Sequence, residues 1–125
     1  MATYAEPHAE ITISSAELTP WPLPAEWVID GAPDAAGAVL SRSDDSRVIR
    51  GVWECTPGTF KWVFSYDETL VVVAGRASVE LDTGDMIELE AGMLGFFGRG
   101  HEATWTVHET LRKAFHADSP EPLPF

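Results

Sequence analysis

The amino-acid sequence predicts a single all-β domain, a small barrel or sandwich of roughly eight or nine short strands. Apolar runs are short and are separated by turn residues such as Thr56-Pro57-Gly58. Phe60, Trp62 and Phe64 alternate with other residues, which is the two-residue period of a strand with one aromatic face. Glycines and prolines interrupt every longer segment, so no convincing helix is predicted.

The first part of the chain, residues 1–47, is interpreted as an extended N-terminal arm that leads into a short edge strand. Three prolines at alternate positions between Pro20 and Pro24 hold the backbone extended and block a helix. Trp21 and Trp27 are expected to anchor this arm on a neighbouring surface.

The regular strand pattern covers residues 48–118, and the proline-rich segment 119–125 is interpreted as a tail. Thr69 to Ala74 is a continuous β-branched run, which predicts a central strand that is buried on both sides and ends at Gly75. Residues 82–85 predict a hairpin turn. The predicted strands cover 48–55, 60–64, 69–74, 76–81, 86–89, 94–97, 104–107 and 111–115.

Composition excludes several classes of protein. The net charge is −12, with 20 acidic and 8 basic residues, so nonspecific binding to nucleic acid or to an anionic membrane is disfavoured. A single cysteine, Cys55, excludes an intrachain disulfide and is interpreted as a core thiol. The longest apolar run is too short to cross a bilayer, and the N-terminal segment lacks a secretory pattern. A cytoplasmic protein is therefore expected.

Several short sequence motifs, taken together, resemble those of the cupin superfamily. The chain is most similar to small single-domain cupins. That family includes ethanolamine-utilisation cupins and is related to ureidoglycine aminohydrolases. The resemblance implies a double-stranded β-helix, the jelly-roll barrel of cupins. The motifs and residues on which this resemblance rests are Gly51-Val-Trp53-Glu-Cys55-Thr-Pro57-Gly58-Thr-Phe60, Trp62, Asp67-Glu68, Gly75, Gly92, Gly98-Arg99-Gly100 and Trp105-Thr-Val107-His-Glu109-Thr-Leu-Arg112-Lys113.

The resemblance also implies where a metal would be bound, and most of those positions have changed. Glu68 matches the family's glutamate ligand, whereas the two histidine positions of the first block fall on Trp62 and Phe64, or on Lys61 and Val63. The histidine of the second block falls at Ala103. No metal ligand set is assigned and no cofactor is firmly predicted. A divalent metal held at an atypical site by Glu68, His101 and another residue is the alternative.

Glu68 is the candidate catalytic residue, either as a general acid or base or as a carboxylate paired with a basic side chain. The resemblance indicates that Arg112 or Lys113 can pair with it, although a surface ion pair is the favoured interpretation of those two. Replacing Glu68 by Gln is expected to abolish turnover while leaving the fold intact.

Aromatic residues form the candidate binding surface. They stack a planar ligand or cage a cation, or else they only fill the barrel. Around the expected mouth, Lys61, Tyr66 and His101 either contact a ligand or are solvated. The candidate ligand-binding residues are Trp62, Phe64, Trp105, Lys61, Tyr66 and His101.

The leading hypothesis is a small-molecule-binding cupin, extended by family analogy to an enzyme acting on a small polar or nitrogen-containing metabolite. The alternatives are a non-catalytic sensor or accessory module with a closed barrel, and a metal-dependent enzyme with atypical ligands. A homodimer formed through an edge strand, a sheet face or the arm is also expected.

Overall fold

The computed structural model describes residues 2–125 and confirms the all-β prediction. Within that range the only helical segment is a 3-10 turn at Ala25–Trp27, and no helix there is long and apolar enough to cross a membrane. Nine strands form one sheet. They are β1 Thr19–Pro20, β2 Val28–Gly31, β3 Ala35–Arg42, β4 Val48–Cys55, β5 Gly58–Val63, β6 Asp67–Leu81, β7 Met86–Glu90, β8 Leu94–Phe97 and β9 Glu102–Asp118.

The long strand β9 lies at the centre of this sheet. Its first half pairs with β5 on one side and β6 on the other, whereas its second half pairs with β4 and β6. The strand order is β1-β3-β4-β9-β5-β2, and β6 also carries β7 and β8. Because every ladder is antiparallel and β9 is shared, the sheet curls around one interior.

Strands β6 and β9 are each continuous where the sequence predicted two shorter strands. The predicted end at Gly75 is wrong, because β6 continues through a series of register shifts between Val72 and Ala77. Gly75 has φ +83°, and a Cβ there would lie 2.1 Å from the Thr110 carbonyl oxygen. Bulges of this kind bend a strand without ending it.

The interior is filled by one side of each long strand. In β6, Leu70 and Val72 are buried, whereas Thr69 and Val71 are exposed, Val71 by 41%. The prediction that this run is buried on both sides is therefore wrong for the described chain. The alternation places one row of side chains in the barrel and leaves the other row on an outer sheet face.

The segments before and after the regular strands lie against the barrel. The ring of Trp21 covers Gly37 so closely that a Cβ on that glycine would lie 2.3 Å from Trp21 Cε3. The Leu123 N–H donates to the Ser46 carbonyl at 2.8 Å, and the Leu123 side chain is buried. Both segments thus bring aromatic residues to one end of the barrel.

Candidate ligand cavity inside the barrel

An ion pair lies inside the barrel. Glu68 comes from the start of β6 and Lys113 from the second half of β9, two neighbouring strands whose buried positions face inward. The Lys113 Nζ donates to Glu68 Oε2 at 2.5 Å, and the two side chains are only 8% and 4% exposed. Arg112 lies on the opposite side of β9 and binds the Glu54 carboxylate at 3.0 Å. The favoured interpretation of a surface ion pair is therefore wrong for Lys113.

Two indole rings surround the ammonium group of this pair. Lys113 Nζ lies 4.7 Å from the ring centroid of Trp53 and 5.0 Å from that of Trp105. The negative faces of aromatic rings attract a cation, so both contacts help to hold the side-chain nitrogen in this position. The aromatic cage expected for a cationic ligand is thus occupied by a cation of the protein itself.

A small cavity adjoins the ion pair. Its volume is about 30 Å³, which is room for about two water molecules. Three of the rings around it, Trp21, Trp62 and Phe125, are only partly buried, whereas the other lining residues are buried. These three rings form the mouth of the cavity. The lining residues are Trp21, Trp53, Phe60, Trp62, Tyr66, Glu68, Trp105, Lys113, Phe115 and Phe125.

The polar groups of the cavity are mostly hydrogen-bond donors. Trp62 Nε1 donates to the Tyr66 hydroxyl at 3.0 Å. Burial, and next the nearby Glu68 charge, raise the pKa of Tyr66 well above its usual value, so this hydroxyl keeps its proton. The buried Trp105 Nε1 has no acceptor among residues 2–125. A buried donor without a partner is costly, because it has lost its hydrogen bonds to water.

Comparison with known proteins identifies the family. The EutQ-like cupin domain matches residues 42–115, which is more than half of the chain. The chain belongs to the EutQ-like cupins. The jelly-roll fold and the cupin resemblance predicted from the sequence are therefore confirmed. Among curated proteins, none matches the chain.

Solved structures of several proteins are similar to this chain over half of its length or more. A Pseudomonas syringae protein of unknown function from the DUF861 family is 25% identical with a TM-score of 0.74, covering 82% of this chain and 44% of its own. The chain thus spans less than half of that protein. Clostridium difficile EutQ is 20% identical with a TM-score of 0.69, covering 88% of this chain and 86% of its own. A Thermotoga maritima DUF861 protein is 30% identical with a TM-score of 0.50, covering 51% and 73% respectively.

The side chains of this cupin do not fit the metal that other cupins bind. Glu68 is held by an ammonium group, and Trp62 and Ala103 stand at two of the expected histidine positions. Within residues 2–125 no three His, Cys, Asp or Glu side chains come together as a metal site. Indole and methyl groups supply no lone pair for a divalent ion, and a lysine ammonium repels one.

Four of the residues predicted from the sequence meet at this cavity. Glu68, Trp62, Tyr66 and Trp105 all line it. Phe64 does not, because its side chain is buried in the core, 1% exposed, between Tyr66 and Phe97. The Phe64 N–H donates to the His101 carbonyl, and its ring stacks on Phe97 at 5.1 Å between centroids. Phe64 is therefore a core residue.

Lys61 and His101 also lie away from the cavity. Lys61 forms an exposed ion pair with Glu102 at 3.5 Å. His101 Nδ1 lies 3.0 Å from Asp82 Oδ1 on the surface, where the Glu102 N–H and then His101 lower the pKa of Asp82. His101 pairs with Asp82, whereas Glu68 pairs with Lys113. Because no three His, Cys, Asp or Glu side chains of residues 2–125 come together, the alternative metal site of His101, Glu68 and another residue is not formed there.

Several residues of the cavity were not predicted from the sequence. Lys113 shares its face of β9 with Leu111 and Phe115, both buried, and this two-residue period was the signal that could have placed it inside. Trp53 belongs to a similar inward row on β4. Trp21 and Phe125 reach the cavity from segments outside the family match, where no local pattern predicts the contact.

Proposed function

We propose that this EutQ-like cupin binds a small polar molecule in the aromatic cavity, with the Lys113–Glu68 pair as its polar anchor. The observation that carries the proposal is this pair, buried beside a cavity and surrounded by aromatic rings. Apolar pockets with a few convergent polar groups are the usual form of a small-molecule site.

Stability alone gives a poor account of the pair. Two ions removed from water lose their hydration, and replacing a buried ion pair by apolar residues of similar volume is often neutral or stabilising. Leucine and methionine would fill the places of Glu68 and Lys113 without that loss. Ionisable groups kept beside a cavity despite this cost are candidates for function.

The chemistry that the pair supplies is proton transfer by Glu68. Glu68 is the candidate to accept a proton from a bound ligand, because its carboxylate lines the cavity. Lys113 pairs with that carboxylate between two indole faces, so we assign it the role of positioning Glu68. A family-based extension to an enzyme of small nitrogen-containing metabolites rests on this carboxylate.

A second candidate is a non-catalytic module with a closed barrel. It is favoured by the small cavity volume, about 30 Å³. The rings are also in mutual contact, since the Trp53 ring centroid lies 6.3 Å from that of Trp62 and 6.4 Å from that of Trp105. In that case the pair and its rings would serve only as packing.

A fragment titration followed by NMR distinguishes the two candidates. The chain has five tryptophans, and the indole N–H signals of Trp21, Trp53, Trp62 and Trp105 report on the cavity. Binding predicts saturable shifts of these signals with at least one small polar fragment, and their loss in the double variant E68L/K113M. That variant removes the polar anchor while keeping side chains of similar volume.

The closed module predicts no saturable shift at the cavity tryptophans with any fragment. Trp27 is the internal reference, because it does not line the cavity and only contacts Trp62 from outside, at 5.4 Å between centroids. Equal shifts in the wild type and in E68L/K113M would also contradict binding at the pair.

A further inference from the structure

A groove lies on the outside of the barrel, between the N-terminal arm and the outer face of β4, β9 and β6. Val52 is two residues from Arg50 in β4, and Trp53 between them and Cys55 lines the cavity, so Val52 belongs to the outer row. Val52 is nevertheless only 1% exposed. The arm covers it, since Ile13 lines the same groove and its carbonyl accepts a hydrogen bond from Arg112 Nη1 at 2.8 Å. The groove has a volume of about 330 Å³, which is within the range of small-molecule pockets.

The walls of this groove are mainly apolar side chains, and they come from both the arm and the sheet. Those residues are Ile11 and Ile13 from the arm, and Leu40, Val52 and Ala114 from the sheet. An alkyl chain placed between these walls would lose its contact with water, and the burial of apolar surface is favourable. The shape and the lining therefore favour a ligand with an aliphatic part.

The titratable side chains that line the groove are both basic. Arg50 and His116 lie directly opposite each other in the β4–β9 ladder. Although the chain has 20 acidic residues, no carboxylate of residues 2–125 lines the groove. Burial, and next the charge of Arg50, lower the pKa of His116, which agrees with the two groups lying close together. Asp118 opposes this shift from outside the lining. The groove therefore complements an anion.

The guanidinium of Arg50 has donors that its own chain does not use. Within residues 2–125 it forms no ion pair. Its Nη1 donates to the Tyr4 hydroxyl at 2.9 Å, and its Cζ lies 5.6 Å from the centroid of the Tyr4 ring. An arginine carries five N–H donors in a fork that matches the two oxygens of a carboxylate. Arg50 is thus suited to bind a carboxylate at one end of an apolar groove.

We propose that the groove binds a free aliphatic carboxylate, with the carboxylate group on Arg50 and the alkyl chain between the arm and the sheet. A membrane lipid is not the source, because a net charge of −12 repels an anionic bilayer. This site is on the outer face of the barrel and is separate from the aromatic cavity. Its failure in the test below would leave the proposed function of the cavity standing.

Three probes of equal chain length test the proposal: hexanoate, 1-hexanol and hexylammonium. Each is titrated into the ¹⁵N-labelled full chain at pH 7.5. We expect hexanoate to shift the backbone amide signals of Thr69, Ala114 and His116 saturably, with a dissociation constant in about the millimolar range. Hexanol and hexylammonium should bind about tenfold more weakly. Octanoate should bind more tightly than hexanoate, by up to about fourfold for each added methylene. The Trp105 indole signal reports on the cavity and should not shift.

Two pairs of matched variants identify the groups that bind. R50Q should weaken hexanoate binding about tenfold and leave the affinity for hexanol unchanged. R99Q makes the same change of charge at an exposed position outside the groove and should have less than a twofold effect. I13E places a carboxylate in the groove and should weaken hexanoate binding at least tenfold. T12E, at the exposed neighbouring position, should not.

Equal affinities for hexanoate and hexanol would overturn the proposal, because Arg50 would then have no part in recognition. Equal losses in R50Q and R99Q, octanoate binding no more tightly than hexanoate, or the absence of any saturable shift at the three amides would also overturn it. Val71 lines the groove and is 41% exposed, so a second copy of the chain is the competing occupant. Hexanoate binding only to a monomeric variant such as L94E/F96E would show that a second copy fills the groove, and would contradict the proposal.

Discussion

The Lys113 ammonium group lies 2.5 Å from the Glu68 carboxylate, at the carboxylate position that the cupin resemblance assigns to a metal ligand. A positive charge therefore lies beside this glutamate, but it belongs to a lysine side chain of the protein and not to a bound metal ion. In place of imidazole ligands, the ring faces of Trp53 and Trp105 surround this cation, and they attract it without coordinating it. The barrel thus has a charged pair at the position where the resemblance implies a metal ligand.

Breaking the buried pair should destabilise the fold, whereas replacing both partners should not. E68Q leaves a buried ammonium without its counter-ion, so we expect a loss of about 3–5 kcal/mol in the free energy of unfolding, and a similar loss for K113M. E68Q is therefore expected to destabilise the fold, in contrast to the prediction from the sequence that this variant leaves the fold intact. The double variant E68L/K113M should be as stable as the wild type or more so. Urea denaturation measures all three.

The exposed pair Lys61–Glu102 is the matched control for that series. Its side chains are 44% and 58% exposed, so E102Q should change stability by less than about 1 kcal/mol. An E68Q variant as stable as E102Q would show that Glu68 and Lys113 are hydrated rather than buried together.

The thiol of Cys55 should be unreactive in the folded protein. Cys55 is buried, and desolvation raises its thiol pKa to about 12. Since the thiolate is the reactive form, a disulfide reagent such as DTNB at pH 8 should label the native chain only as fast as it unfolds. In urea one thiol per chain should react at once. Rapid labelling of the native protein would contradict the burial of β4.

The protein should lose stability as the pH falls below about 6.5 through His116. Burial, and next the Arg50 charge, lower the pKa of His116, while Asp118 opposes this shift. The unfolded chain, with a histidine pKa of about 6.5, then takes up a proton before the folded chain does, so folding is disfavoured at lower pH. H116Q should reduce the slope of stability between pH 7 and 5.5. H8Q, at an exposed position, should not, and equal slopes for the wild type and H116Q would contradict the assignment.

A homodimer is predicted through the outer face of β6 and β8. Val71, Leu94 and Phe96 are 41%, 71% and 60% exposed there, and β8 pairs only with β6. The sequence pattern predicted burial on both sides of this run, and a second copy would provide the missing cover. Trp21 and Trp27 pack on their own barrel, which leaves the sheet face as the candidate surface.

Light scattering at micromolar concentration should therefore give the mass of a dimer for the wild type. L94E/F96E should give a monomer, because it places carboxylates in the apolar face. M86E is the control, since Met86 is 54% exposed but lies on β7. A monomeric wild type, or dissociation caused equally by M86E, would contradict this interface.

Much of the barrel could be predicted because strand period and turn residues are local signals. The aromatic alternation of β5 and the family motifs were enough to predict Trp62, Trp105 and Glu68 as residues of the candidate site, and all three line the cavity. Phe64 is buried as the alternation predicts, but its ring packs on Phe97 away from the cavity, and a two-residue period does not show which inward residues line a cavity. Lys113 was interpreted as a surface residue because a charged side chain next to Arg112 normally is one.

The mouth of the cavity could not be predicted from local patterns. Trp21 and Phe125 are more than 100 positions apart in the chain, and their ring centroids meet at 5.1 Å. That contact depends on how two proline-rich segments dock on the finished barrel. Long-range docking of this kind leaves no periodic signal in either segment.

The most direct test is a high-resolution crystal structure of the protein purified without chelators. We expect Lys113 Nζ within hydrogen-bond distance of Glu68, between the rings of Trp53 and Trp105, with no metal ion at the glutamate. A transition metal coordinated by Glu68, with Lys113 turned out of the barrel, would contradict this prediction.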